Sequence, residues 1–146
     1  MAKMMKMQVS GKSEGMKTYV KAGKHEIVVD EAEQMGGDNA GANPLQYLLT
    51  ALTGCTNAVA HMAAKEIDFD LQELSIKASG EFDPRGFMGD PEVRSHFQTA
   101  TLTVEVKTSE SEERLNELKE MVTSRCPVYS TFIAADIEMN DTWTIV

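Results

Sequence analysis

An α+β domain is the fold class this sequence predicts, and three observations carry the prediction. Short runs bearing Met, Val, Ile and Tyr alternate with Gly11, Gly15 and Gly23 in the first 30 residues, the rhythm of strands and turns. Two later segments repeat apolar residues at spacings of three and four, the period of a half-buried helix. The length, 146 residues with 42% hydrophobic and 25% charged side chains, suits one domain of ordinary core size over residues 1–146 and leaves no room for a second.

Residues 4–9, 16–22 and 25–30 are expected to form a β-meander. Residues 31–42 then carry Gly36, Gly37, Asp38, Asn39 and Gly41, too many turn formers for a regular element, so a loop is expected. Asn43 followed by Pro44 is a helix start with a mechanism. Asn caps free amides, and Pro at the first helical position has φ preset and loses no hydrogen bond. Leu45, Leu48, Leu49, Leu52, Cys55, Val59 and Met62 follow as one apolar stripe toward Lys65. Ala51, Gly54, Ala58, Ala60, Ala63 and Ala64 are small enough for another helix to approach. Gly54 costs about 1 kcal/mol of helix propensity, so a close contact beside Cys55 is expected to explain it.

Leu74, Ile76 and Ala78 alternate within a strand over 71–82, and Leu102, Val104 and Val106 within its neighbour over 97–106. Between them Asp83 to Pro91 forms a loop whose Phe87 and Met88 are apolar where loops are usually polar. The ordinary expectation is a loop tucked on its own core, and the sharper one is a flap over something else. Ser109 or Ser111 caps the next helix, which has Glu110, Glu112 and Glu113 near its start and Leu115, Leu118, Met121 and Val122 as its stripe, and ends near Ser124. Cys126-Pro127 repeats the start signal for a short helix through Ile133, and residues 135–138 and 142–146 are expected as closing strands. Strands, long helix, strands, long helix, short strands read as two similar halves.

Several function classes drop out on composition. With 14 basic against 23 acidic side chains, net charge -9, the chain would be repelled by a phosphate backbone. Lys17, Lys21 and Lys24 are the nearest approach to a basic cluster and sit among Glu14, Glu26 and Asp30, so no nucleic-acid partner is expected. No apolar run approaches the roughly 20 residues that span a bilayer, and the Lys-bearing start lacks the apolar core of a signal peptide. A cytoplasmic protein without a membrane partner is expected. His25, His61 and His96 lack metal-ligand spacings, and there is no Walker loop, no Gly-x-Gly-x-x-Gly and no Gly-x-Ser-x-Gly, so neither metal nor cofactor is expected.

The two cysteines remain as candidate chemistry. Cys55 and Cys126 stand 71 residues apart, which is no secreted disulfide framework. Cys55 lies about three turns into its helix, beyond the reach of the macrodipole. Cys126 stands at a helix mouth beside Arg125, and on that ground it is the more acidic thiol expected. His61, six residues beyond Cys55, is about 240° around a helix of 3.6 residues per turn, which argues against a Cys-His pair. Two buried structural cysteines are the plain alternative.

The run Gly41-Ala42-Asn43-Pro44-Leu45-Gln46-Tyr47-Leu48-Leu49-Thr50-Ala51-Leu52-Thr53-Gly54-Cys55-Thr56 resembles the Asn-Pro-x-x-x-Leu…Gly-Cys helix of the OsmC/Ohr family (osmotically inducible protein C and organic hydroperoxide resistance proteins). Arg125-Cys126-Pro127-Val128-Tyr129-Ser130-Thr131 resembles the family's second thiol signature, and the likeness covers nearly the whole chain. The resemblance implies an OsmC-like fold, two antiparallel sheets around two long central helices in an intertwined homodimer. It implies a peroxidase in which Cys55 attacks an organic hydroperoxide and Cys126 resolves the sulfenic acid, with a thiol reductant to recycle the disulfide.

In the family's peroxidase branches a Glu directly after Asn-Pro and an Arg in the N-terminal strands support the first thiol. Leu45 stands at that Glu position here, with Gln46 the nearest polar substitute. No Arg precedes Arg85, so Arg85, Lys12 or Lys17 would supply the charge. The competing expectation is a non-catalytic binder of small apolar molecules, with Phe87, Met88 and an adaptable share of the ten methionines lining its pocket.

Overall fold

The computed structural model describes residues 2–146. Its fold is α+β, two three-stranded sheets with helices, and along the chain it divides into two compact units between Leu48 and Leu49, inside a helix.

The first unit is the meander: β1 (Ser10–Glu14), β2 (Lys17–Ala22) and β3 (His25–Val29), antiparallel throughout. The first strand departs from expectation. The Met-rich residues 4–9 are exposed and unpaired in a strand ladder, whereas polar Ser10–Glu14 pairs with β2. The turn decides this, because Gly15 adopts a φ of 62° and the hairpin register follows from it, Glu14 opposite Lys17. In the loop a single turn of 3-10 helix, Glu33–Met35, interrupts the irregular backbone.

Asp30 organises that loop. Its side chain is 1% exposed and accepts from the amides of Glu31, Asp38 and Ala40, which together hold its pKa below the ordinary carboxylate value. Two glycines are required by close approach. A Cβ on Gly37 would meet the Glu31 carbonyl oxygen at 2.1 Å, and one on Gly41 the Val28 carbonyl oxygen at 2.1 Å. That Val28 oxygen also accepts from the Tyr47 hydroxyl at 2.7 Å, which ties the start of the long helix to β3.

The long helix, α1, is Pro44–Glu66. Its start is a reciprocal cap: the Gln46 amide donates to Asn43 Oδ1 at 2.8 Å and the Asn43 amide donates to Gln46 Oε1 at 2.9 Å.

The second unit holds the rest of α1, β4 (Glu73–Glu81), the four-residue α2 (Pro84–Phe87), β5 (Thr99–Lys107), α3 (Glu112–Arg125), α4 (Pro127–Ala134) and β6 (Glu138–Ile145). Ser111, of the two serines expected, caps α3 by accepting from the Arg114 amide. The closing segment is one continuous strand rather than two. Its sheet runs β4-β5-β6, with β4 and β5 antiparallel and β5 and β6 parallel. The expected second antiparallel sheet is therefore mixed, because α3 and α4 together make the long crossover that a parallel pair needs.

Ala100, Leu102, Val104 and Val106 of β5 are buried and stand beside Met139, Asp141, Trp143 and Ile145 of β6. The helices add Leu52, Val59, Ala60, Ala63 and Ala64 from α1, Leu115, Leu118 and Val122 from α3, and Phe132 from α4.

The buried face of α1 is rotated from the expected stripe. Thr56 is buried with its hydroxyl donating to the Leu52 carbonyl, while Met62 is 58% exposed. Gly54 faces open space among the described residues, so the expected close contact is not found there. Phe87 and Met88 are 62% and 75% exposed, which overturns the expectation of a loop tucked on its own core. No helix among the described residues is long and apolar enough to cross a membrane.

Candidate thiol site

Cys126 ends α3 and caps α4. Its φ of -67° and ψ of 113° break the helix, and its Sγ accepts from the Tyr129 amide at 3.4 Å. Pro127 at the next position enforces this, since the residue before a proline is pushed out of helical geometry. The side chain is fully buried, 0% exposed, and its thiol stands within hydrogen-bonding reach of Cys55 on α1. Cys55 is half-buried, and both cysteines are free. Two helices whose sequences are 71 residues apart thus bring their only sulfhydryls together.

The electrostatics reverse one expectation. Burial first, and the Cys55 contact after it, push the Cys126 thiol up to about 11, and the opposing amides of Tyr129 and Val128 are too weak to compensate. Arg125 does not offset this. Its guanidinium donates to both oxygens of Glu66 at 2.8 Å, at the end of α1, where both side chains are about half exposed. A helix mouth beside an arginine favours thiolate only when water or the cation reaches the sulfur, and here neither does.

The other expected residues have their own partners. Arg85 in α2 is exposed and forks onto Asp83, the cap of that helix, and this guanidinium holds the Asp83 carboxyl down to about 2. Gln46 belongs to the Asn43 cap. Lys17 pairs with Asp38 at 3.2 Å. His61 is exposed. Among the described residues no group of three or more His, Cys, Asp or Glu is arranged to hold a metal ion. A concavity of about 610 Å³ lies on the first sheet, lined by β1, β2 and β3 residues such as Lys12, Tyr19 and Ile27, and includes neither thiol nor Phe87.

Two residues went unnoticed as site candidates in the sequence. The Tyr129 hydroxyl donates to Asp141 Oδ2 on β6, and burial together with that carboxylate raises the tyrosine's pKa. Asp141 Oδ1 and Trp143 Nε1, on the same face of β6, are buried without a hydrogen-bond partner among the described residues. The only sequence signal was the place of Tyr129, three residues after a capping thiol.

A mixed sheet packed with helices that set a half-buried thiol against a buried one defines a two-thiol α+β domain. The family model described as OsmC-like protein matches residues 36–140, and the chain belongs to that family. A hydroperoxide reductase of Mycoplasma genitalium is 31% identical over 94 residues, a match that spans 62% of this chain and 62% of that protein. Among solved structures, an OsmC-like protein from Mycoplasma pneumoniae superposes with a TM-score of 0.85 at 20% identity, covering 97% of this chain and 98% of that one. The organic hydroperoxide resistance protein OhrB of Bacillus subtilis superposes with a TM-score of 0.66 at 18% identity, covering 95% and 98%.

Proposed function

We propose that this chain is a cytoplasmic, homodimeric, thiol-dependent peroxidase that reduces organic hydroperoxides and serves in the response to oxidative stress. The observation that carries this reading is the contact between the accessible Cys55 and the buried Cys126. Cys55 sulfur attacks the outer peroxide oxygen, the O–O bond breaks, and the sulfenic acid and an alcohol form. Cys126 sulfur then attacks the sulfenic sulfur, a disulfide forms and water leaves. A thiol reductant returns the pair to two thiols. The hydroperoxide reductase name of the Mycoplasma genitalium relative supports the same reading.

Apolar substrate is favoured by the exposed Phe87 and Met88, which offer adaptable apolar surface. Neither Arg85 nor Gln46 is assigned the activation of Cys55, since Asp83 and Asn43 hold them. Dimer formation accounts for the second face of α1, where Ala51, Gly54, Ala58 and Met62 are exposed at helical spacing and invite close approach of another helix. Sedimentation at micromolar concentration is expected to return twice the chain mass; a monomer would remove this part of the reading.

The direct test adds one equivalent of an organic hydroperoxide to the reduced protein and follows free thiols and intact mass. The expected result is loss of both thiols and two hydrogens within minutes, abolished in Cys55→Ser. Unchanged thiols would leave the protein as a binder of apolar molecules, and binding that survives replacement of both cysteines would identify it as one.

A further inference from the structure

Cys126 closes the disulfide only if its sulfur is presented to Cys55. The thiol caps α4, an eight-residue helix, so its orientation follows that helix's first turn. The amide that the sulfur accepts from belongs to Tyr129. The same residue's side chain reaches β6, where its hydroxyl donates to Asp141 Oδ2. Asp141 stands beside buried Leu102 of the central strand β5. One residue therefore holds the sulfur with its backbone and the sheet with its side chain.

The second oxygen of Asp141 is buried and unpartnered among the described residues, so the tyrosine hydroxyl is what satisfies this carboxylate. A part-buried carboxylate with one oxygen shut off from water and unpaired is costly, and a bond to its other oxygen is correspondingly strong and directional.

We infer that the Tyr129–Asp141 pair is a positioning device for the resolving thiol: it clamps the first turn of α4 to β6 and so sets the direction from which Cys126 sulfur meets Cys55. Neither residue touches the peroxide. The step it governs is Cys55–SOH plus Cys126–SH giving the disulfide and water. The S–O bond breaks and the S–S bond forms, the sulfenic sulfur is reduced and the Cys126 sulfur oxidised, and the proton that Cys126 gives up on becoming a thiolate is balanced by the one that turns the departing hydroxide into water. Geometry matters here because the attacking sulfur must approach along the S–O bond, and a small misplacement is expressed directly in rate.

This inference rests on the peroxidase reading for its oxidant, and its test separates the two. Reduced protein is mixed with cumene hydroperoxide and quenched with dimedone at intervals, and intact mass counts sulfenic adduct, disulfide and sulfinic acid. Tyr129→Phe is expected to form sulfenic acid at the parental rate and to close the disulfide at least about tenfold more slowly, so that adduct and sulfinic acid accumulate. Asp141→Leu is expected to behave the same way, and Asp141→Asn, which keeps an acceptor for the hydroxyl, to close at nearly the parental rate. A parallel series uses diamide, which oxidises a thiol pair in two steps without peroxide. Should hydroperoxide leave the parental thiols untouched, the peroxidase reading fails while the diamide second step still reports on the clamp. Equal closing rates in all variants, or both steps slowed in proportion, would overturn the positioning role.

Discussion

Disulfide closure in a single turnover is expected to accelerate about tenfold per pH unit, roughly a hundredfold from pH 7 to pH 9, while the sulfenic acid is already in place. The attacking species is a thiolate, and the Cys126 thiol titrates at about 11 because it is fully buried. Well below that value the thiolate fraction rises tenfold for each unit of pH, from about one part in ten thousand at pH 7. The sign follows from the proton. A pKa raised above the ordinary 9.0 keeps the group neutral, so raising pH adds the reactive form throughout this window. Cys55 is the side chain that faces the thiol; Tyr129, whose amide donates to the sulfur, has its own pKa raised and stays neutral, and the adjacent cation, Arg125, is engaged by Glu66. Rapid-quench mass analysis after one equivalent of hydroperoxide reads the closing step directly. A closing rate that is flat with pH would mean that the Cys126 proton passes to the departing hydroxide as the sulfur attacks, and that ionisation is not the barrier.

Phe132→Ala is expected to destabilise the fold by about 3–5 kcal/mol, the largest loss for a single side chain away from the sulfurs. Phe132 is 1% exposed in the last turn of α4 and stacks on Phe97 with ring centroids 6.5 Å apart, and Phe97 meets Phe82 edge-on at 6.0 Å. Truncation leaves a cavity that the flanking sheet and α3 are too stiff to fill, so the lost transfer energy and the lost contacts add. Urea unfolding monitored by the single Trp143 gives the free energy directly. A loss below about 1 kcal/mol would mean that α4 relaxes into the space. That relaxation would also move Cys126, and disulfide closure would slow with it.

Much of the architecture was readable from local rules. The Asn43-Pro44 start and its Gln46 reciprocal, the Ser111 cap, the Cys126-Pro127 cap and the alternation of β4 and β5 each depend on neighbours within a few residues. Both thiols lay within recognisable motifs for the same reason. The misreadings share a different cause. Met-rich residues 4–9 have the hydropathy of a strand and are exposed, because within the chain the ladder is set by the Gly15 turn rather than by apolar content. The parallel pairing of β6, the rotation of the buried face of α1 and the open space beside Gly54 depend on which element comes to lie against which.

Chain-local chemistry determined the elements, their ends and the identity of the two sulfurs, because caps, turns and periodicity act over at most one or two turns of backbone. Tertiary structure decided the chemistry of those sulfurs. A helix mouth beside Arg125 reads as an acidifying place, yet the fold closes the core over Cys126, sends Arg125 to Glu66 and brings Cys55 against the thiol. Desolvation, which no stretch of sequence displays, outweighs two backbone amides. The same holds for Tyr129 and Asp141, twelve residues apart, which meet only because the crossover lays β6 beside β5 and under α4.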